Sequence, residues 1–200
     1  LVVVCGVALA ILTIQTAAGW YAHERGQAEA QVGQQDLALD WFRRASLIDP
    51  GTTGYHDAIA RTLVQLFHQS GDPQWLVKAV EEEGQASELN PLDGRFPYRL
   101  GTIYSELAEQ KLSIDQRDLL LNQAAQVYEQ ALHVDPYSPL SYMALANIRV
   151  PQGRVEEAKS WLQRAVATEP NFLPARTLLA ELSLKAGEHE AAQSEFDAIV

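Results

Sequence analysis

The stretch AKSWLQRAVATEP, residues 158–170, decides the fold. Ala158, Leu162 and Ala165 fall at i, i+4 and i+7, so two small side chains and one large one share a face of a helix. Alanine-sized notches let a neighbouring helix approach closely, and the larger residue fills the space between the two backbones. Pro170 closes the segment, because proline disfavours a helical residue before it. The same figure recurs as ALDWFRRASLIDP at 38–50 and AAQVYEQALHVDP at 124–136, and in weaker form as AVEEEGQASELNP at 79–91. Pro50, Pro91, Pro136 and Pro170 therefore punctuate the chain.

The other half of the pattern supplies the preceding helix. Between Pro136 and Pro170 the period is 34 residues, and Tyr142, Leu145, Ala146, Gly153, Ala158, Leu162 and Ala165 lie within it. This order of large and small apolar residues resembles the tetratricopeptide repeat. Leu179, Ala180, Gly187, Ala192 and Phe196 restart it, and Leu100, Gly101 and Tyr104 supply the start of another copy. Gly153 and Gly187 are expected to take left-handed caps between the helices of a hairpin. The resemblance implies an all-α, right-handed superhelical solenoid of helical hairpins, at about 19–50, 53–91, 94–136, 139–170 and 173–200. Two spacings depart from it: Pro50 to Pro91 and Pro91 to Pro136 are longer, with the surplus near His68–Trp75 and Glu109–Asn122. Longer turns or longer helices, with faces able to bind, would absorb that length.

A transmembrane helix is expected over residues 1–22, ahead of a repeat domain over 23–200. Residues 1–18, LVVVCGVALAILTIQTAA, carry no charge, and Trp20 and Tyr21 precede His23, Glu24 and Arg25 as at a membrane–water interface. The aliphatic residues favour insertion by about 3–5 kcal/mol. Extended to Ala22, the helix reaches roughly 33 Å, against a hydrocarbon core of about 30 Å. A cleaved signal peptide ending near TAAG, residues 16–19, is the alternative. The membrane helix is expected to run straight into the first hairpin.

Composition narrows function. A net charge of −11 with a pI near 4.8 repels nucleic-acid phosphates and anionic headgroups. The single Cys5 excludes an internal disulfide and a zinc cluster, and reads as a small packed hydrophobe. His23, His56, His68, His133 and His189 show no metal-ligand spacing, and no phosphate loop or nucleophile motif occurs. Asp115–Asp118 and Glu81–Glu83 read as solvated helix faces. The expectation is a non-catalytic chain without metal or cofactor.

A binding surface remains. The tetratricopeptide resemblance implies a concave groove lined by the first helix of each hairpin. Its offsets place Asp57, Arg61, Arg95, Tyr98, Thr102, Met143, Asn147, Thr177, Glu181 and Lys185 there, with Arg95, Tyr98 and Asn147 as anchors for a protein or peptide ligand. The phrases RRASLIDPGTTGYHDAIA (43–60) and ASELNPLDGRFPYRLGTIY (86–104), behind a spanning helix, resemble the C-terminal tails of bacterial O-antigen ligase and polymerase-like membrane proteins. That resemblance implies an accessory, partner-recruiting segment at the bacterial inner membrane, on its exoplasmic, periplasmic side. The rival is a membrane-anchored assembly factor for cytochromes, pili or secretion machinery. A soluble secreted scaffold would follow if residues 1–18 were removed.

Overall fold

The computed structural model describes the backbone of residues 2–110 and 112–199, and side chains within that range from Leu9 onward. Every regular element among the described residues is a helix. The chain divides into two compact units, Leu1–Pro91 and Leu92–Val200.

The first unit holds two antiparallel hairpins. Helix α1 (Val2–Gln31) packs on α2 (Gln35–Ile48), and α3 (Thr53–Ser70) packs on α4 (Gln74–Leu89). The second unit holds three: α5 (Arg95–Ala108) with α6 (Ile114–Val134), α7 (Pro139–Arg149) with α8 (Val155–Thr168), and α9 (Leu173–Lys185) with α10 (His189–Asp197).

The repeated alanines form the seams, as their spacing predicts. Ala38, Ala45, Ala79, Ala86, Ala124, Ala131, Ala158 and Ala165 are all buried. Each second helix then ends in the same way. The backbone N–H groups of Asp49, Asn90, Asp135 and Glu169 donate to the carbonyls of Ala45, Ala86, Ala131 and Ala165, and a proline follows each. Four hairpin turns use a left-handed glycine: Gly33, Gly71, Gly153 and Gly187 have φ of 80, 71, 73 and 80°. Gly153 and Gly187 match the expectation. In three of these turns the residue after the glycine donates back across the helix end, as Gln34 to Glu29, Arg154 to Arg149 and Glu188 to Ser183. The α5–α6 turn differs: Ser113 and Gln116 form a reciprocal capping box that starts α6.

The surplus length goes into helices. α3 has 18 residues, α4 has 16 and α6 has 21, against 11 in α7 and 14 in α8.

One expectation needs correction. The cluster Glu81–Glu83 is not a uniformly solvated face, because Glu83 is only 1% exposed. It stands four residues after Ala79 and three before Ala86, the slot that Phe42, Tyr128 and Leu162 occupy in other hairpins. Helical register therefore carries it into the interior, where it is engaged rather than free. Its neighbour Glu82 meets His56 Nδ1 at 2.8 Å.

No helix among the described residues is long and apolar enough to cross a membrane. The expected segment 1–22 begins in residues 1–8, Cys5 included, whose side chains lie outside the described residues. From Leu9 to Ala18 only ten residues remain before the helix turns inward on the protein, roughly 15 Å of rise. Beyond that point Gly19, Ala22 and Gly26 are buried. The continuity expected of α1 is observed: it runs 30 residues without a break.

His23 sits on this packed half of α1, with its ring centroid 5.3 Å from those of Phe42 and Tyr55. Burial holds its pKa below the ordinary 6.5, opposed by Glu24 and Asp57 and assisted by Arg61. The unfolded chain binds the proton more readily, so stability is lost as pH falls through the unfolded value. Thermal melts of the chain are expected to drop between about pH 7 and pH 5, and His23→Leu should flatten that drop. An unchanged slope in the variant would assign the acid sensitivity elsewhere.

Candidate binding site

The second unit brings first helices α5 and α7 side by side over α6, and a cavity of about 310 Å³ opens between them. Tyr98, Thr102, Met143 and Asn147 line it, at matching offsets on the two helices. Four of the predicted groove residues thus converge on one space. Tyr98 and Tyr128 meet with ring centroids 5.5 Å apart and planes tilted by 57°. Thr102 Oγ1 donates to the Tyr98 carbonyl at 3.2 Å, which leaves it to accept from the Tyr128 hydroxyl at 3.2 Å. Burial pushes both phenols above their ordinary pKa; at Tyr128 the Thr102 and Ser105 hydrogen bonds pull the other way. Both rings remain neutral walls at physiological pH.

The close approach behind this wall is set by a glycine. A Cβ on Gly101 would lie 2.7 Å from the Tyr128 ring, so only glycine lets α6 press its tyrosine flat against α5. In the first unit, Gly26 plays the same part against Phe42, at 2.6 Å.

Residues that the repeat offsets missed border the cavity too: Ser105 and Glu106 from the second half of α5, Glu109 at its C-cap, Arg117 and Leu121 from α6, Ile148 near the end of α7 and Pro151 just beyond it. The clue was the long spacing from Pro91 to Pro136. The added first turns of α6 carry Arg117, and α5 and its cap carry the two glutamates.

The other predicted residues lie elsewhere. Arg61 pairs with Asp57 one turn earlier at 3.1 Å and borders a separate cavity of about 320 Å³ in the first unit, with Gln27, Gln31, Gln35 and Thr62. Arg95 opens α5 and folds back on Asp93, with Nη2 to Oδ2 at 2.6 Å. The Arg95 guanidinium holds the Asp93 carboxyl below the usual range. Thr177, Glu181 and Lys185 stand exposed on α9, outside the cavity between α5 and α7.

Stacked antiparallel hairpins with alanine seams and proline corners define a tandem helical-repeat protein. Residues 121–174 and 153–200 match the family model for the tetratricopeptide repeat, and the fold of the chain is tetratricopeptide-like. Among solved structures, MamA from strain RS-1 has a TM-score of 0.73 at 17% identity, covering 91% of this chain and 92% of that one. PilF of Pseudomonas aeruginosa has a TM-score of 0.67 at 20% identity, covering 92% of this chain and 76% of that one. YrrB, described as a tetratricopeptide protein with an unusual peptide-binding site, has a TM-score of 0.63 at 14% identity, covering 89% and 82%.

Two curated proteins are similar in sequence. Cellulose synthase operon protein C of Pseudomonas fluorescens is 28% identical over 83% of this chain. Photosystem I assembly protein Ycf3 of Prochlorococcus marinus is 25% identical over 56% of it. The chain spans 12% of the length of the first and 64% of the second.

Proposed function

We propose that this chain is a non-catalytic scaffold that holds an extended segment of a partner protein in the groove between α5 and α7. The convergence of Tyr98, Thr102, Met143 and Asn147 on one cavity carries this reading. Tyrosine supplies large contact area at little conformational cost, and a side-chain amide can hydrogen-bond a peptide backbone. A displayed random-peptide library selected on the full chain tests it. Selected peptides are expected to lose about tenfold or more in affinity with Tyr98→Ala or Asn147→Ala, and nothing with Thr177→Ala. Peptides insensitive to both groove variants would reject the groove.

The narrower reading places this scaffold beside cell-surface polysaccharide machinery, at the periplasmic face of a bacterial inner membrane. Two observations support it: the name of the Pseudomonas fluorescens relative, cellulose synthase operon protein C, and the exposure of Leu9, Ile11, Leu12 and Ile14 on the first half of α1. An anchored factor for assembling protein complexes is the alternative, supported by the similarity to the photosystem I assembly protein Ycf3. The upstream reading frame separates the two, since many further apolar segments belong only to the first. Maleimide labelling of Leu47→Cys in intact and permeabilised cells reads the side of the membrane; labelling only after permeabilisation of the inner membrane would overturn the periplasmic placement.

A further inference from the structure

We propose that the first hairpin is seated on a phospholipid bilayer by its proline-corner end, with residues 9–18 of α1 in the facing leaflet and Trp20 at the leaflet's edge; this deepens the membrane reading above and rests on it. The packing of α1 comes first. A Cβ on Gly19 would lie 3.3 Å from Asp49 Cβ and 3.0 Å from the Tyr55 hydroxyl, so α2 ends and α3 begins level with Gly19. Before that level α1 stands alone, and residues 9–18 are exposed throughout. Successive helical positions turn by about 100°, so Leu9, Ile11, Leu12 and Ile14 point to every side of the helix. A groove on a partner protein covers one stripe of a helix. A helix that is apolar all round needs an apolar solvent, which lipid supplies.

The polar groups of this segment fit the same solvent. Thr13 Oγ1 donates to the Ala10 carbonyl at 2.9 Å and Thr16 Oγ1 to the Leu12 carbonyl at 3.1 Å. Both hydroxyls are thus satisfied within the helix, as hydrocarbon requires. No charged side chain occurs in residues 9–18. At about 1.5 Å per residue the segment rises roughly 15 Å, the depth of one leaflet of a hydrocarbon core of about 30 Å. The side chains beyond it follow the order of a leaflet from acyl chain to headgroup. Trp20 comes first, 61% exposed. The Tyr21 ring then meets Trp41 edge-on, with centroids 6.5 Å apart. Arg25 and Arg44 lie 5.7 and 4.8 Å from the centre of the same Trp41 ring. Leu47, 83% exposed and two residues before Asp49, stands at this level too, in the headgroup layer and still open to water. A net charge of −11 gains nothing from anionic lipid, so the seat is apolar.

The test mixes the full chain with vesicles of neutral phosphatidylcholine and reads binding by flotation. The chain is expected to float with the vesicles at low and high salt alike. Ile14→Asp should lower its partition by about tenfold or more, and Trp20→Ala by about threefold. Val32→Asp, at the opposite end of the hairpin, should change nothing. All three side chains are exposed, so none of the variants threatens folding. Depth is read with nitroxide labels on Cys5→Ala protein carrying Ile14→Cys, Leu47→Cys or Val32→Cys. On vesicles the label at Ile14 should meet dissolved oxygen but not a water-soluble nickel chelate. The label at Leu47 should lose part of its nickel access when vesicles are added, and the label at Val32 none. Failure to float, binding that needs anionic lipid and fades with salt, or a nickel-accessible Ile14 overturns the proposal. So does a Leu47 label that vesicles leave unchanged, or spin–spin broadening at Ile14, the mark of a second copy on α1. Maleimide labelling in cells that places the chain on the periplasmic side while Ile14 stays wet would sink this seat and leave the membrane scaffold standing.

Discussion

Ala165→Trp is expected to lower the melting temperature of the second unit by about 10–20 °C, from a loss of about 3 kcal/mol. Ala165 has no exposed surface, and it packs within a cluster that includes Ala146, Ala158, Leu162, Ala175 and Leu179, drawn from α7, α8 and α9. An indole there has nowhere to go except between α8 and its neighbours, and close-packed interiors do not yield by sliding. Gln163→Trp, two residues away on the exposed face of the same helix, should leave the melt almost unchanged. Circular dichroism at increasing temperature distinguishes the two. Matching melts for both variants would mean that the alanine seam is not the contact on which the hairpins close. Ala131→Trp is expected to act in the same way, since Ala131 is 2% exposed at the equivalent position of α6.

The second large effect is expected at Gly101. Adding one methyl group places carbon 2.7–2.8 Å from three atoms of the Tyr128 ring, a ring only 4% exposed with little freedom to swing aside. Gly101→Ala should therefore cost about 1–3 kcal/mol, although alanine is the better helix former. The next hairpin shows the remedy, because there Ala146 packs in the same cluster as Leu162. Small residue and large residue trade volume across the seam: glycine faces tyrosine or phenylalanine, and alanine faces leucine. Tyr128→Leu alone should destabilise, through the lost ring contacts and the lost Thr102 hydrogen bond. Combined with Gly101→Ala it should cost less than the two singles summed, by about 1 kcal/mol. Urea unfolding of the four proteins closes this cycle, and simple additivity would show that the ring and the methyl do not compete for one space.

How far the fold was legible follows from the range of each signal. The alanine seams, the four proline corners and the caps at Gly153 and Gly187 depend on backbone geometry and on spacing along a single helix. Both can be read from one strand of letters. The lining of the cavity between α5 and α7 was half legible. The repeat offset located Tyr98, Thr102, Met143 and Asn147, because equivalent positions on equivalent helices point the same way. It also nominated Arg95, whose guanidinium folds back on Asp93, and Thr177, Glu181 and Lys185, which stand exposed on α9. Offsets state which face a residue shares; they do not state how much space lies in front of that face.

The acidic run at Glu81–Glu83 shows the same limit from the other side. Its composition reads as a wet surface, yet register turns Glu83 inward, since a helix cannot present three consecutive residues to solvent while keeping Ala79 and Ala86 in the seam. The apolar N-terminus is a matter of degree. Hydropathy alone joins residues 1–22 into one span, whereas in the folded chain Gly19 and Ala22 belong to the first hairpin.

By itself, then, the order of residues determined that this protein is built from helical hairpins, where each hairpin ends, and which faces close, because these follow from periodicity and from the backbone limits of proline and glycine. Only the tertiary structure decided that α5, α6 and α7 enclose a cavity, that the surplus residues became longer helices bringing Arg117 to its edge, and that Gly101 and Tyr128 share one volume. Those outcomes depend on distances between helices, and such distances arise only when side chains from separate segments must fill the same space.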